Sequence, residues 1–343
     1  MSKAEPGQFQ TLLNNLLREH VKPAFVKSKN SAITPAGRKA LIALPPRLEA
    51  GIDETKSKPW KYGQVYLISV FEWILGQLDT LSIELNWPLL IPPLLALLDD
   101  ASTVYKIRGC SLLSNFIASI PPQVLERTGL GEVFQEALTP CLLYLPELTP
   151  EAESLQLLSA VYPTLLFLIR TRFPEARDRG LMQKSLDHLF RYGILKGYAH
   201  AGDNVRIADF LVRRMTDVVN EMGIASCKHL KHILPLLSAI LSDPFAMAYP
   251  PLLLAALQAI QSVTIIDWSR MEYHGSEMLR SLIVCWCKAL PDDDTARPSS
   301  LGQVKAEIKY SVKLLSAVLK RDMAAEYSFL VESDGRLEEL LAM

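Results

Sequence analysis

The sequence predicts an all-α fold, an α-solenoid of HEAT-like antiparallel helix pairs, and three observations carry that expectation. From Trp60 onward, apolar residues recur at intervals of three and four through most of the chain. No segment alternates with period two for long enough to build a sheet. The 343 residues exceed one ordinary core, and stacking many small cores along one axis fits the periodicity better than a single large one.

The first sixty residues hold a short amphipathic helix around 9–19, another helix after Thr34 and a charged linker at 51–59. Residues 1–59 are therefore expected to form a helical extension and 60–343 the repeat body. The clearest unit is 87–120. A first helix over 88–98 points Leu90, Ile91, Leu94, Leu95 and Leu98 inward, and residues 99–102 turn the chain. A second helix over 103–119 buries Val104, Ile107, Leu112, Leu113 and Phe116 and is stopped by Pro121 and Pro122. An acidic turn followed by an apolar and then a basic residue, here Asp100, Val104 and Arg108, is the HEAT pattern. Such a pair cannot bury both its faces alone, so its outer stripe needs a neighbouring pair.

The pattern returns with shifts of register. Helices are expected over 131–143 and over 150–171, the latter capped by Thr149. The turn Gly202-Asp203-Asn204 opens an amphipathic helix over 205–222, with Ile207, Phe210, Leu211, Met215 and Val218 on one face. Residues 230–241, a turn at 242–244 and a helix over 251–263 repeat the first unit. Laying Asp100 on Asp243 brings Pro92 onto Pro235 and Leu98 onto Leu241. Helices over 276–290 and 301–320 complete about six or seven pairs. The acidic, Pro- and Ser-containing stretch 291–300 between them reads as a flexible loop.

Composition narrows the function. The 36 Lys plus Arg nearly cancel the 37 Asp plus Glu, which gives no electrostatic case for nucleic acid or an anionic membrane as partner. Segments 87–98 and 155–169 are too short or too interrupted for the roughly 20 apolar residues of a membrane span. Lys3, Glu5, Pro6 and Gly7 stand where an export signal would need an apolar run. Five cysteines, an odd number, sit within apolar helical pattern as reduced core thiols do, so a soluble cytoplasmic or nuclear protein is expected.

Chemistry is sparse. Gly129-Leu130-Gly131 has Phe134 where a dinucleotide fingerprint needs its third glycine and no strand before it, so it reads as a turn between helices. His229 and His232 have a metal-ligand spacing, but with Lys228 and Lys231 interleaved they read as a solvated basic face. His188 beside Asp187 reads as a surface pair. Cys285 and Cys287, two apart on a helix, point in different directions. No nucleophile elbow, Cys-His or kinase motif is present. Catalytic, cofactor-binding and metal-binding residues are accordingly expected to be none, and the chain to be no enzyme. Trp60, Trp87, Trp268 and Trp286 lie near loops; most Trp residues in such a fold are core, and one left outside is an interface anchor.

The run Ile91-Pro92-Pro93-Leu94-Leu95-Ala96-Leu97-Leu98-Asp99-Asp100, followed by Tyr105-Lys106-Ile107-Arg108-Gly109-Cys110, resembles a block of the Tel-two-interacting protein two family. Arg127-Thr128-Gly129-Leu130-Gly131, with Pro140-Cys141-Leu142 and Tyr144-Leu145-Pro146, resembles its fungal members. Residues 265–270 with Cys285-Trp286 are similar to a C-terminal block of the family; Asp267-Trp268-Ser269-Arg270 keeps its Trp and Arg but lacks its Pro. The resemblance spans about residues 60–290 and implies a scaffold subunit of the Triple T co-chaperone complex. Such a subunit would bind the large first Tel-two-interacting subunit and the Tel-two subunit. It would support phosphatidylinositol-3-kinase-related kinases together with the heat-shock-ninety chaperone. Trp268 and Arg270 are the candidates for a partner contact. A HEAT- or armadillo-type nuclear transport receptor is the alternative, although the Trp–Asn ladder of that class is absent.

Overall fold

The computed structural model describes residues 6–25, 32–34, 37–40, 57–290, 299–320 and 322–342. Of the expected charged linker at 51–59 and flexible loop at 291–300, residues 51–56 and 291–298 lie outside them, while Ser299 already begins a helix. The fold is all α; among the described residues the only β feature is an isolated antiparallel bridge between Ile33 and Lys39. Contacts divide the chain into two compact units, residues 1–185 and 186–343.

In the first unit, α1 (Pro6–Leu16) continues through a π turn into a last helical turn at Lys22–Phe25. Phe25 stacks on buried Trp60 at 5.3 Å, and Trp60 meets the edge of Tyr105 at 5.3 Å. The segment after Thr34 is not helical where it is described. Thr34 and Arg38 close a turn beside the bridge, and Gly37, at φ 79°, rests against Trp87, where a Cβ would come within 2.9 Å of the ring. Only glycine meets both conditions.

Five longer helices follow: α2 (Tyr66–Gln77), α3 (Thr80–Leu98), α4 (Thr103–Ser119), α5 (Leu130–Leu138) and α6 (Glu151–Arg172). Alternate helices stack, α2 on α4 and α4 on α6, while α3 packs on α4 and touches α5. Helix α3 begins eight residues before the start expected at Pro88. Asp79 caps it by accepting a 2.7 Å bond from the Ser82 N–H, and Pro88, Pro92 and Pro93 all lie inside it. An interior proline costs about 3 kcal/mol. Burial of Leu90, Ile91, Leu94, Leu95, Leu97 and Leu98, none with exposed surface, outweighs that cost.

The register of α4 also differs from expectation. Val104 is 68 % exposed and Ile107 only half-buried, whereas Thr103, Lys106, Cys110, Leu113 and Phe116 face inward. Lys106 can occupy a core position because its ammonium donates to the Leu98 carbonyl at 2.6 Å, at the C-terminal end of α3, and lies 5.1 Å from the centre of the Tyr144 ring. Arg108 reaches back to Glu72 at 2.7 Å and Ser69 at 2.9 Å on α2. Gly129, at φ 70°, forms the expected turn between helices. Gly131 gives passage to Arg172, whose Cδ would stand 2.5 Å from a Cβ there and whose guanidinium donates to Gln135. The Thr149 side chain does not cap α6; its carbonyl accepts from Ser154 Oγ at 3.4 Å, and Pro150 stands at the cap position.

At 19 and 22 residues, α3 and α6 are long and apolar enough to cross a membrane, which the shorter segments read from sequence were not. Packing buries 67 % and 56 % of their apolar windows.

The second unit begins within α7 (Arg179–His188) and contains α8 (Lys196–Ala201), α9 (Val205–Met222), α10 (Leu230–Ser242), α11 (Pro250–Ile266), α12 (Trp268–Ala289), α13 (Ser299–Val318) and α14 (Ala324–Ser333). Helix α9 stacks on α11 and α11 on α13, forming one row; α10 stacks on α12, forming another. Asn204 caps α9 by accepting from the Ile207 N–H at 3.3 Å. His229 is not on a solvated face. It is buried, stacks on Phe190 at 4.2 Å and has Nε2 2.7 Å from Asp187 Oδ1, an approach off the line that a hydrogen bond requires. Burial pushes its imidazole below the ordinary value, against the pull of Asp187, so it is neutral at pH 7. Asp187 also pairs with Lys228 and Arg191, at 3.0 and 3.1 Å, while His188 stacks on Tyr192.

Candidate interaction site

Trp268 and Arg270 do not precede a helix that starts at residue 276. They form the first turn of α12, separated from α11 by one residue, Asp267. The Asp267 N–H donates to the Val263 carbonyl at 2.8 Å, closing α11; its own carbonyl accepts from the Arg270 N–H at 2.8 Å, opening α12. One residue thus satisfies backbone groups of two helix ends.

The Asp267 side chain is fully buried. Its Oδ2 lies 2.8 Å from Ser226 Oγ, which lies 2.7 Å from the Gly223 carbonyl. A hydroxyl has one proton to donate and serves only one of these acceptors. The other carboxyl oxygen, Oδ1, has no hydrogen-bond partner among the described residues, nor has the buried Thr264 hydroxyl one helical turn earlier. Burial pushes the Asp267 carboxyl above the ordinary range, opposed only by the Ser226 hydroxyl. In its protonated form the Asp267 carboxyl can donate to Ser226, which leaves the serine proton for Gly223. Sequence reasoning quoted Asp267 without assigning it a task. The available clue was a lone acid between the apolar run Thr264-Ile265-Ile266 and a Trp.

This corner holds Trp268 with 53 % of its surface in solvent while Met271, in the same turn, is buried. Arg270 is exposed, as are Ile265 and Tyr273 on either side. By contrast Trp60, Trp87 and Trp286 are core, and Trp73 is half exposed with Phe9 set edge-on at 6.1 Å. An exposed Trp and Arg on a rigid helix start is the composition of a binding hot spot.

The rest of the molecule offers little reactive chemistry. Among the described residues no three His, Cys, Asp or Glu side chains gather to hold a metal. All five cysteines are free, and burial pushes the Cys110 and Cys285 thiols up to about 12, the opposite of an activated nucleophile.

A model of the Tti2 family matches residues 3–248. The chain belongs to the Tti2 family. The match includes residues 3–59, which the motifs above did not reach, and the block at 91–110, and it ends before the 265–270 corner. TEL2-interacting protein 2 of Saccharomyces cerevisiae is 22 % identical over 311 residues, 86 % of this chain and 73 % of the relative. No solved structure matches the chain. Within this Tti2 chain, Trp268 and Arg270 stand as contact candidates on their placement and exposure.

Proposed function

We propose that this Tti2-family chain is a non-catalytic adaptor whose helix pairs form a HEAT-like solenoid, and that it works as a subunit of the Triple T co-chaperone complex. On this reading it binds the first Tel-two-interacting subunit and the Tel-two subunit, and through them supports the maturation of phosphatidylinositol-3-kinase-related kinases in the cytoplasm or nucleus. Membership of the Tti2 family carries the reading. The name of the yeast relative, TEL2-interacting protein 2, supports the Tel-two partner. The alternating stacking of helices supports the HEAT-like reading, and the Trp268 and Arg270 corner supplies a surface of hot-spot composition for one partner contact.

The test is co-purification of the tagged chain with both subunits at moderate and high salt. We expect a near-stoichiometric, salt-resistant complex, because an aromatic anchor is not screened by ions. Trp268→Ala combined with Arg270→Glu is expected to weaken one of the two contacts by about thirtyfold, the scale of a 2 kcal/mol hot spot. Recovery of the chain alone would overturn the adaptor reading. Full binding by the double variant would overturn only the placement of the contact.

A further inference from the structure

A second feature of the 186–343 unit lies apart from the Trp268 corner. The turn that joins α8 to α9 and the turn that joins α10 to α11 stand side by side and enclose an open groove of about 990 Å³. Its floor is apolar, built from Val205, Ile240, Leu252 and Leu253, and its wall includes Phe245, which is 80 % exposed. Leaving that ring in water forgoes the favourable burial of a large apolar side chain.

The charged side chains that line the groove share one sign. Asp203 and Asp243 both line it, and neither carboxylate has a cation within ion-pair distance among the described residues. The nearest ammonium placed by contact, that of Lys288, is committed to the backbone carbonyls of Ser242 and Asp243 at 2.5 and 3.0 Å. Asp243 is held in place because its Oδ1 accepts from the Phe245 N–H at 2.8 Å. Tyr198 and Tyr249 add aromatic faces to the lining. Burial, and after it the fields of Asp243 and Asp203, hold the Tyr198 phenol above its ordinary value, so both acids act on one ring.

We propose that this groove docks an extended segment of a partner protein in which an arginine or lysine stands beside a large apolar side chain. The two carboxylates meet the cation, an aromatic face takes the plane of a guanidinium, and the apolar neighbour covers Phe245. The same pair of charges repels an acidic segment and so confers selectivity. The inference does not depend on which subunit meets Trp268.

Anisotropy titrations of the full chain test it, using fluorescein-labelled peptides with Leu-Arg-Leu or Leu-Glu-Leu centred in Gly-Ser spacers. The arginine peptide is expected to bind saturably, more tightly at low salt, and at least about tenfold more tightly than the glutamate peptide. Asp203→Asn with Asp243→Asn keeps shape and the acceptor for the Phe245 N–H, and is expected to weaken that binding about tenfold with an unchanged melting temperature. Phe245→Ala should weaken the salt-independent part and leave the salt dependence unchanged. Equal binding of the two peptides, no saturable binding, or an unchanged Kd in the double Asn variant would each overturn the proposal. Sedimentation velocity of the chain alone reads the remaining occupant. Self-association abolished by the double Asn variant would assign the groove to a second copy and overturn it as well.

Discussion

Asp100 in the first unit and Asp267 in the second are both aspartates at corners between consecutive helices, and both carry side chains shut off from solvent. Their surroundings are opposite. Asp100 Oδ2 lies 3.1 Å from the Lys58 ammonium, its Oδ1 lies 2.9 Å from that of Lys61, and the Ser102 N–H adds a bond at 2.9 Å. Burial alone would raise this carboxyl, but Lys61, the Ser102 N–H and Lys58 together leave its pKa lowered. Among the described residues Asp267 has one hydroxyl neighbour, no cation and an orphaned oxygen, and its pKa is raised. Burial therefore sets the stakes and the partners set the sign. The paired corner ties the segment around Trp60 to the α3–α4 turn. The unpaired corner holds a destabilising group next to an exposed Trp, the arrangement expected where stability yields to function.

Breaking the paired corner should have the largest effect. Asp100→Ala leaves two lysines without their acid and is expected to cost about 3 kcal/mol, measured by urea denaturation at pH 7. A cost below about 1 kcal/mol, the ordinary worth of an exposed pair, would erase the contrast. Next in size, Lys106→Met removes the cation that satisfies the Leu98 carbonyl inside the same unit. It is expected to cost about 1 to 2 kcal/mol in the same assay, the price of leaving a buried acceptor unmet.

Changing the unpaired corner should act in the other direction. Asp267→Asn removes a buried acid without removing shape, and is expected to raise stability at pH 7 by about 1 kcal/mol. The pH dependence separates the two corners. Asp267 has a raised folded pKa, so the native state holds its proton more tightly than the unfolded chain. Its contribution is complete below about pH 4 and falls as pH rises through the folded value. Asp100 has a lowered folded pKa, so its contribution is present above about pH 4 and is lost as pH drops through the folded value. Stability measured from pH 3 to pH 7 should show the Asn variant gaining on the parent with rising pH, and the Asp100 variant approaching the parent as pH falls. Parallel curves for both variants would remove the assigned cause. The smallest effect is expected at Trp268→Ala, within about 0.5 kcal/mol of the parent because the ring is half in solvent. A cost near that of a core aromatic would make Trp268 structural.

The helical class was legible in the sequence because period 3.6 persists over long segments, and α9 appears over the residues expected, with a cap at Asn204 that the pattern did not single out. Details failed where local rules met tertiary ones. Pro88 reads as the first residue of a helix, which is its commonest helical position, whereas extensive burial carries α3 through it. Both flanks of α4 contain apolar residues, so periodicity could not choose between Val104 and Lys106; a lysine stem with a carbonyl for its head is not polar enough to reveal burial in a pattern. His229 looked solvated because its neighbours in sequence are lysines, while its acid, Asp187, arrives from another helix. For the site, residue types suggested Trp268 and Arg270, but neither spacing nor composition could place the buried Asp267 beneath them.

Two of the three buried thiols, Cys110 and Cys285, also make this chain its own stopwatch. Cys110 belongs to the first unit and Cys285 to the second, and with values pushed up to about 12 each is almost wholly un-ionised at pH 7 while folded. A thiol-specific label can reach either sulfur only when its own unit opens. The rate at which each position is modified therefore times the opening of one half of the molecule independently of the other, without any introduced probe.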